Sequence, residues 1–135
     1  MNAVFADSGY WIAVVSRGDG HHTRALDVSR ALGEVRIVTS EMVLTEVLGA
    51  LSEPPLRSVM VQIVDSVRRD PNVEVVPQTG QLFREALDHY RSRPDKAWSL
   101  VDCASFLIMK HREIREALAH DRHFEQAGFV ALLRD

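Results

Sequence analysis

Short apolar runs alternate with longer segments of helical periodicity along the whole chain, and this alternation limits the fold more than any other feature. The runs have the length and composition of buried strands and occupy residues 3–6, 35–38, 73–76, 117–119 and 129–133. Helices are predicted over residues 9–15, 22–32, 42–51, 59–67, 79–90 and 99–108. Strands separated by helices form mainly parallel sheets covered on both faces, so we expect an α/β fold.

The size of the chain predicts a single domain over residues 1–135. Hydrophobic residues make up 46% of the sequence and charged residues 26%, which is ordinary for a globular protein. A chain of this length buries enough apolar surface to fold without a disulfide or a structural metal. We find no internal repeat, low-complexity tract or interdomain linker.

Three features favour a cytoplasmic location. Cys103 is the only cysteine, so no intrachain disulfide can form. Residues 1–10 lack the basic start of a secretory signal, and Asp7 interrupts their apolar stretch. No run of about 18 apolar residues is present, so we expect no membrane span.

The net charge of −3 argues mildly against nucleic acid as a partner, because binding depends on neutralising phosphates. The objection disappears if several acids are gathered in a site that holds cations, with basic residues around it. Arg17, Arg24, Lys96 and Arg122 lie in or near loops that would flank such a site.

Four acids are candidates for that site. Asp7 directly follows the first predicted strand, and Asp121 directly follows the fourth. In open α/β sheets, sites form beyond the carboxyl ends of strands, so these two are expected to meet. Glu46 and Asp102 lie in early turns of helices, where the helix dipole alone would favour an acid. Asp102 has mostly apolar neighbours, and a buried carboxylate must be paired or bound to a metal.

Four converging carboxylates repel one another unless cations lie between them. Mg²⁺ and Mn²⁺ prefer oxygen ligands, so either ion would relieve the repulsion. Such ions activate water and stabilise the charge of a phosphodiester transition state. A zinc site is not favoured, because no second cysteine joins Cys103 and close histidine pairs occur only at 21–22 and 120/123.

Other enzymes and binding modules fit the sequence less well. A haloacid-dehalogenase phosphotransferase needs a second Asp two residues after the first, and Gly9 occupies that position. A response-regulator receiver needs an acidic pair after the first strand and a mid-chain Asp at a strand end, and neither is present. The glycine motifs of Rossmann and P-loop nucleotide binding are also missing.

Four blocks of sequence resemble the PIN-domain family, and they occur in the family's order. They are VFADSGYWIA at residues 4–13, VTSEMVLTE at 38–46, WSLVDCASF at 98–106 and HDRHFEQAGF at 120–129. Each block alone is weak, but together they extend over nearly the whole chain and are specific.

The resemblance implies a three-layer α/β/α sandwich with a central, mainly parallel sheet. It also implies Mg²⁺- or Mn²⁺-dependent hydrolysis of RNA with water as the nucleophile. The positions that match the family's acidic quartet are Asp7, Glu46, Asp102 and Asp121. The matching supporting polar positions are Ser8 and Ser99, with Asp95 as an auxiliary acid. Lys96, Arg122 and His123 are candidate RNA contacts near the acids.

The sequence departs from the family at Ala119, where many relatives carry Thr or Ser two residues before the last acid. The departure removes a hydroxyl that would orient Asp121 or a water at a second metal position, and it leaves the first three acids unaffected. Small single-domain members resemble VapC-like toxins, which form homodimers and are inhibited by a VapB-like antitoxin. The alternatives are a ribonuclease outside a toxin–antitoxin pair and a PIN domain that binds RNA or a partner without cutting.

The aromatic residues are predicted to belong to the core rather than to base-stacking platforms, because they fall on apolar faces. The residues concerned are Trp11, Phe83, Tyr90, Phe106 and Phe124.

Overall fold

A computed structural model of the chain describes residues 2–134 and contains a five-stranded sheet flanked by helices. The strands are β1 (Ala3–Ala6), β2 (Arg36–Ser40), β3 (Val73–Val76), β4 (Glu116–Leu118) and β5 (Val130–Ala131). The helices are α1 (Ser8–Val15), α2 (His22–Leu32), α3 (Glu41–Ala50), α4 (Leu56–Arg69), α5 (Gly80–Ser92), α6 (Leu100–His111) and α7 (Arg122–Gln126). The predicted α/β class is confirmed.

All strand pairs are parallel, and the strand order is β3-β2-β1-β4-β5. The chain moves from β1 outward to β3, returns to the other side of β1 and continues to β5. Right-handed crossovers therefore place α1–α4 on one face of the sheet and α5–α7 on the other. The strand order reverses between β1 and β4, and this switch point is where a doubly wound sheet leaves a crevice at its carboxyl edge.

Side-chain caps fix the starts of the helices on either side of that crevice. Ser40 ends β2 and is the N-cap of α3, where its side chain accepts a hydrogen bond from the backbone N–H of Val43 in the first turn. Ser99 and Asp102 form a reciprocal capping box at the start of α6. Both caps agree with the sequence, in which Thr39–Ser40 and Ser99 precede apolar helical segments.

The short helix α7 was not predicted, and aromatic packing explains its position. A helix of five residues is too short to be stable by itself. Phe124 on α7 is fully buried with its ring edge-on to Phe106, at 5.1 Å between centroids. Phe106 also meets Trp98 edge-on at 5.1 Å, and the Trp98 indole donates to Gln126 at the end of α7. This aromatic cluster (Trp98, Phe106, Phe124) holds α7 against α6.

Two predictions about side chains were wrong. Phe83 and Tyr90 on α5 were expected to face inward, but they are 42% and 50% exposed. The core side of α5 is formed by Ala86, with Leu82 partly buried beside it. Trp11, Phe106 and Phe124 are buried as predicted.

The last strand is shorter than predicted. It spans only Val130–Ala131, whereas the apolar run extends from 129 to 133. This edge strand pairs with β4 alone, and the chain turns away after it.

No helix among residues 2–134 is both long and apolar enough to cross a membrane.

Candidate active site

Asp7 and Asp121 meet at the switch point because β1 and β4 are neighbours. Ala6 and Leu118, the last residues of these strands, are register partners. The next backbone N–H, that of Asp7, donates to the carbonyl of Leu118 at 3.2 Å. Asp7 is thereby tied to the end of β4, three residues before Asp121. Its side chain does not cap α1, although it occupies the N-cap position.

A buried polar relay brings α3, which carries Glu46, to the same edge. The Thr39 hydroxyl at the end of β2 donates to the carbonyl of Ala6 at 2.8 Å. The Trp11 indole N–H on α1 donates to the Thr39 hydroxyl at 3.3 Å. Since the next residue, Ser40, is the N-cap of α3, the relay sets the position of that helix relative to Asp7. Glu46 is partly buried and is hydrogen-bonded by the side chain of Ser8.

Asp102 enters the site from the first turn of α6. One of its carboxylate oxygens, Oδ2, accepts from the backbone N–H of Ser99 at 3.0 Å. The same oxygen lies 2.9 Å from Nδ1 of His123. Asp102 is 8% exposed, so these two contacts fix a buried carboxylate from two sides.

His123 links Asp102 to Asp121. Its Nδ1 lies 3.3 Å from Oδ1 of Asp121, and its backbone N–H donates to the same oxygen at 2.9 Å. One ligand atom from each of Asp102, Asp121 and His123 lies within 4.8 Å of the others. The structure therefore brings His123 into the acidic site itself, beyond the flanking position that the sequence suggested. The signal in the sequence is its spacing two residues after Asp121.

The four acids (the acidic cluster: Asp7, Glu46, Asp102 and Asp121) are close enough to perturb one another. The pKa of Asp7 is raised to about 7, mainly by burial. A hydrogen bond from the backbone N–H of Ser8 lowers it, and the charges of Asp102, Glu46 and Asp121 raise it. Burial also raises the pKa of Glu46, and Asp102 and Asp121 add to that effect. The chain alone therefore holds these carboxylates against mutual repulsion.

The donor set of the cluster fits a hard divalent cation. Its carboxylate oxygens are the ligands that Mg²⁺ and Mn²⁺ prefer, and imidazole is also a ligand for transition metals. A cation among the acids would lower the pKa of Asp7 and leave it ionised, as a ligand must be. Asp102, Asp121 and His123 converge most closely, whereas Asp7 and Glu46 are coupled to them through charge.

Ala119 has no hydroxyl with which to orient Asp121, and other groups orient that carboxylate instead. Ala119 is fully buried, and its carbonyl accepts from the backbone N–H of Leu133 at 3.1 Å. The contacts that orient the Asp121 carboxylate come instead from the backbone and the ring of His123. Asp121 is therefore held without a hydroxyl two residues before it.

The remaining predicted residues are distributed as follows. Ser99 uses its hydroxyl to cap α6. Asp95 forms a bidentate ion pair with Arg93, and both N–O distances are 3.0 Å. The hydrogen bond from Arg93 lowers the pKa of Asp95 to about 2. The structure thus pairs Asp95 with a cation and does not join it to the cluster. Lys96 lies over the ring of Trp98, 6.0 Å from its centroid, and Arg122 is exposed at the start of α7.

The chain belongs to the PIN domain family, whose model matches residues 4–130. The sequence is 29% identical over 127 residues to a protein of Mycobacterium tuberculosis described as the 23S rRNA-specific endonuclease VapC20, a match covering 94% of this chain and 95% of that protein. The crystal structure of VapC20, described as a sarcin-ricin loop cleaving toxin, superposes with a TM-score of 0.85 at 28% identity, covering 94% of this chain and 96% of VapC20.

More distant structures share the fold. FitAcB from Neisseria gonorrhoeae has a TM-score of 0.66 at 10% identity, with 95% of each chain covered. VapBC2 from Rickettsia felis, solved with a promoter DNA fragment, has a TM-score of 0.65 at 9% identity, with 96% of each chain covered. These comparisons confirm the predicted family and the α/β/α architecture with its parallel sheet.

Proposed function

We propose that this chain is a metal-dependent endoribonuclease and the toxin of a VapBC-type toxin–antitoxin pair. The observation that carries the proposal is the convergence of Asp7, Glu46, Asp102 and Asp121 at the switch point of a PIN-domain sheet. The similarity to a 23S rRNA-specific endonuclease over 94% of the chain supports RNA as the substrate and ribosomal RNA as the first one to test.

The acidic cluster would hold Mg²⁺ or Mn²⁺ through Asp102 and Asp121, with Asp7 and Glu46 completing the negative charge. When bound, such an ion supplies activation of water and stabilisation of charge on the phosphodiester. His123 keeps the Asp102 and Asp121 carboxylates in a fixed relative orientation. Ser8 does the same for Glu46 through its hydroxyl.

Cleavage by this site is expected to require a divalent metal and to leave a 5′-phosphate and a 3′-hydroxyl, because water attacks phosphorus and the 2′-hydroxyl takes no part. The measurement is incubation of the purified protein with intact ribosomal RNA in Mg²⁺, Mn²⁺ or EDTA, followed by identification of both new ends. Cutting in EDTA, or 2′,3′-cyclic ends, would contradict the mechanism. RNA binding without any cutting would favour the alternative of a binding-only PIN domain.

We also propose a homodimer and a VapB-like antitoxin as protein partners, in the cytoplasm. Leu48 on α3 and Val61 on α4 are exposed apolar side chains on neighbouring helices, and they support a protein-binding surface there. Val61→Glu, which places a charge on that surface, is expected to shift the protein from dimer to monomer in light scattering. The matched control is Val130→Glu, which places the same charge on an exposed valine of β5, outside α3 and α4. A monomeric parent protein, or a dimer unaffected by Val61→Glu, would contradict this assignment of the surface.

A further inference from the structure

A cleft of about 470 Å³ opens beside the acidic cluster, and the proposed mechanism does not use it. Its lining includes Gly20, His21, Arg24, His120 and Arg134. His120, which lines the cleft, directly precedes Asp121 in the chain, so the cleft lies next to the acidic cluster. We call it the histidine cleft.

The two histidines of the cleft form a parallel stack. The His21 and His120 rings lie 4.1 Å apart between centroids, with only 6° between their planes. They come from distant parts of the chain, since His21 precedes α2 and His120 follows β4. Both rings are partly exposed, and both line the cleft. The pair therefore places two stacked aromatic rings in the wall of the cleft.

The backbone around the stack keeps both rings in place. A carboxylate oxygen of Asp19 accepts from the backbone N–H of His21 at 2.8 Å. On the other side, His120 packs against the start of α1, where a Cβ atom added at Gly9 would lie 2.7 Å from Nε2 of His120. Glycine at position 9 thus leaves the space that the His120 ring needs, two residues after Asp7.

The lining of the cleft also includes two guanidinium groups, those of Arg24 and Arg134. Arg24 donates to the carbonyl of Arg134 at 2.9 Å, which fixes its charge at the cleft. Arg134 is paired with Glu125 at 2.7 Å, so its charge is largely balanced. Other parts of the chain thus hold both guanidinium groups, and the stacked rings are the feature of the cleft that suits an aromatic ligand.

The stacked rings of His21 and His120 suit the base of an unpaired nucleotide. Proteins that recognise RNA by sequence do so mainly at unpaired bases, which they stack on aromatic or guanidinium planes. We propose that the histidine cleft binds one unpaired nucleotide flanking the scissile phosphate, with its base stacked on the His21–His120 pair. This assignment rests on the proposed ribonuclease function, because it takes RNA as the ligand.

Binding of short RNA in a background that does not cut separates the cleft from the chemistry. The probes are fluorescent single-stranded octamers, one of adenylates and one with an abasic ribose-phosphate chain of equal length. The parent protein is the Asp102→Asn variant, in which His21→Ala, His21→Phe and His111→Ala are compared. His111 is an exposed histidine at the far end of α6, and it serves as the matched control.

His21→Ala is expected to weaken binding of the adenylate octamer about tenfold, the range expected for the loss of a stacking partner. Binding of the abasic chain should change less than about twofold, because it has no base to stack. His21→Phe should restore binding by replacing the ring, and His111→Ala should leave both probes unaffected.

Three results would overturn the assignment: unchanged adenylate binding in His21→Ala, an equal loss for the abasic chain, or failure of His21→Phe to restore binding. Far-UV circular dichroism and thermal melting of each variant establish that it is folded. Cleavage of ribosomal RNA by the wild-type protein is measured in parallel. Absence of cleavage there contradicts the proposed function, while the octamer titrations decide the cleft independently.

Discussion

Asp102→Asn is expected to reduce RNA cleavage by about a thousandfold or more while the protein remains folded. The substitution removes one negative charge from the proposed cation site, and metal-ion catalysis of this kind supplies several kcal/mol of transition-state stabilisation. The asparagine carbonyl retains an acceptor for the backbone N–H of Ser99, so the cap of α6 should survive. The measurement is the initial rate of ribosomal RNA cleavage at saturating Mg²⁺, with thermal melting as the check on folding.

Asp88→Asn is the matched control for that experiment. Asp88 lies on α5 in an exposed ion pair with Arg91, and exposed pairs of this type contribute little to stability. It loses the same charge as Asp102→Asn without touching the acidic cluster, so its rate should equal that of the wild type. Equal losses in both variants would mean that net charge, rather than the site, governs activity. A fully active, folded Asp102→Asn would refute the assignment of Asp102.

Asp7→Asn is expected to stabilise the metal-free protein at pH 8 and to have much less effect at pH 4. Burial raises the pKa of Asp7 to about 7 in the folded chain, whereas an exposed aspartate titrates near pH 4, at about 3.9. The folded state therefore retains a proton that the unfolded state loses, and stability falls as the pH rises between these two values. The full difference corresponds to about 4 kcal/mol, an upper limit because the buried acids are coupled.

Urea unfolding in EDTA at a series of pH values measures this effect. The difference in unfolding free energy between Asp7→Asn and the wild type should grow from pH 4 to pH 8, which separates Asp7 from every group that the two proteins share. Millimolar Mg²⁺ at pH 8 should stabilise the wild type more than the variant, since the ion binds the ionised carboxylate. A pH-independent difference would show that Asp7 is not the group responsible.

The positions of the site residues along the chain were predictable to different degrees. Asp7 and Asp121 follow apolar strands, and parallel neighbours present their carboxyl ends at one edge, so their meeting follows from the strand pattern. Glu46 and Asp102 lie within helices, and strand periodicity carries no information about where a helix points. The apolar neighbours of Asp102 indicated a buried carboxylate, and the family resemblance joined both acids to the site. The structure supplies the reason through the Thr39 relay and the Ser99 cap.

Features that depend on long-range packing were not predictable from the sequence. His123 was expected only as an RNA contact, because a pattern of residues does not give the rotation of a five-residue helix. Phe83 and Tyr90 fall on an apolar helical stripe, yet Ala86 alone is fully buried on α5. The His21–His120 stack joins residues 99 positions apart, and no motif next to either histidine predicts the contact.

The aromatic cluster behind α7 connects hydrophobic packing to the geometry of the proposed active site. Asp121 and His123 sit at the start of a helix that Phe124, Phe106 and Trp98 hold in place. Displacements of about 1 Å in a catalytic group can lower rates by about a hundredfold. In the proposed ribonuclease, these three side chains would therefore control how precisely Asp121 and His123 are placed, and we expect substitutions at them to lower turnover as well as stability.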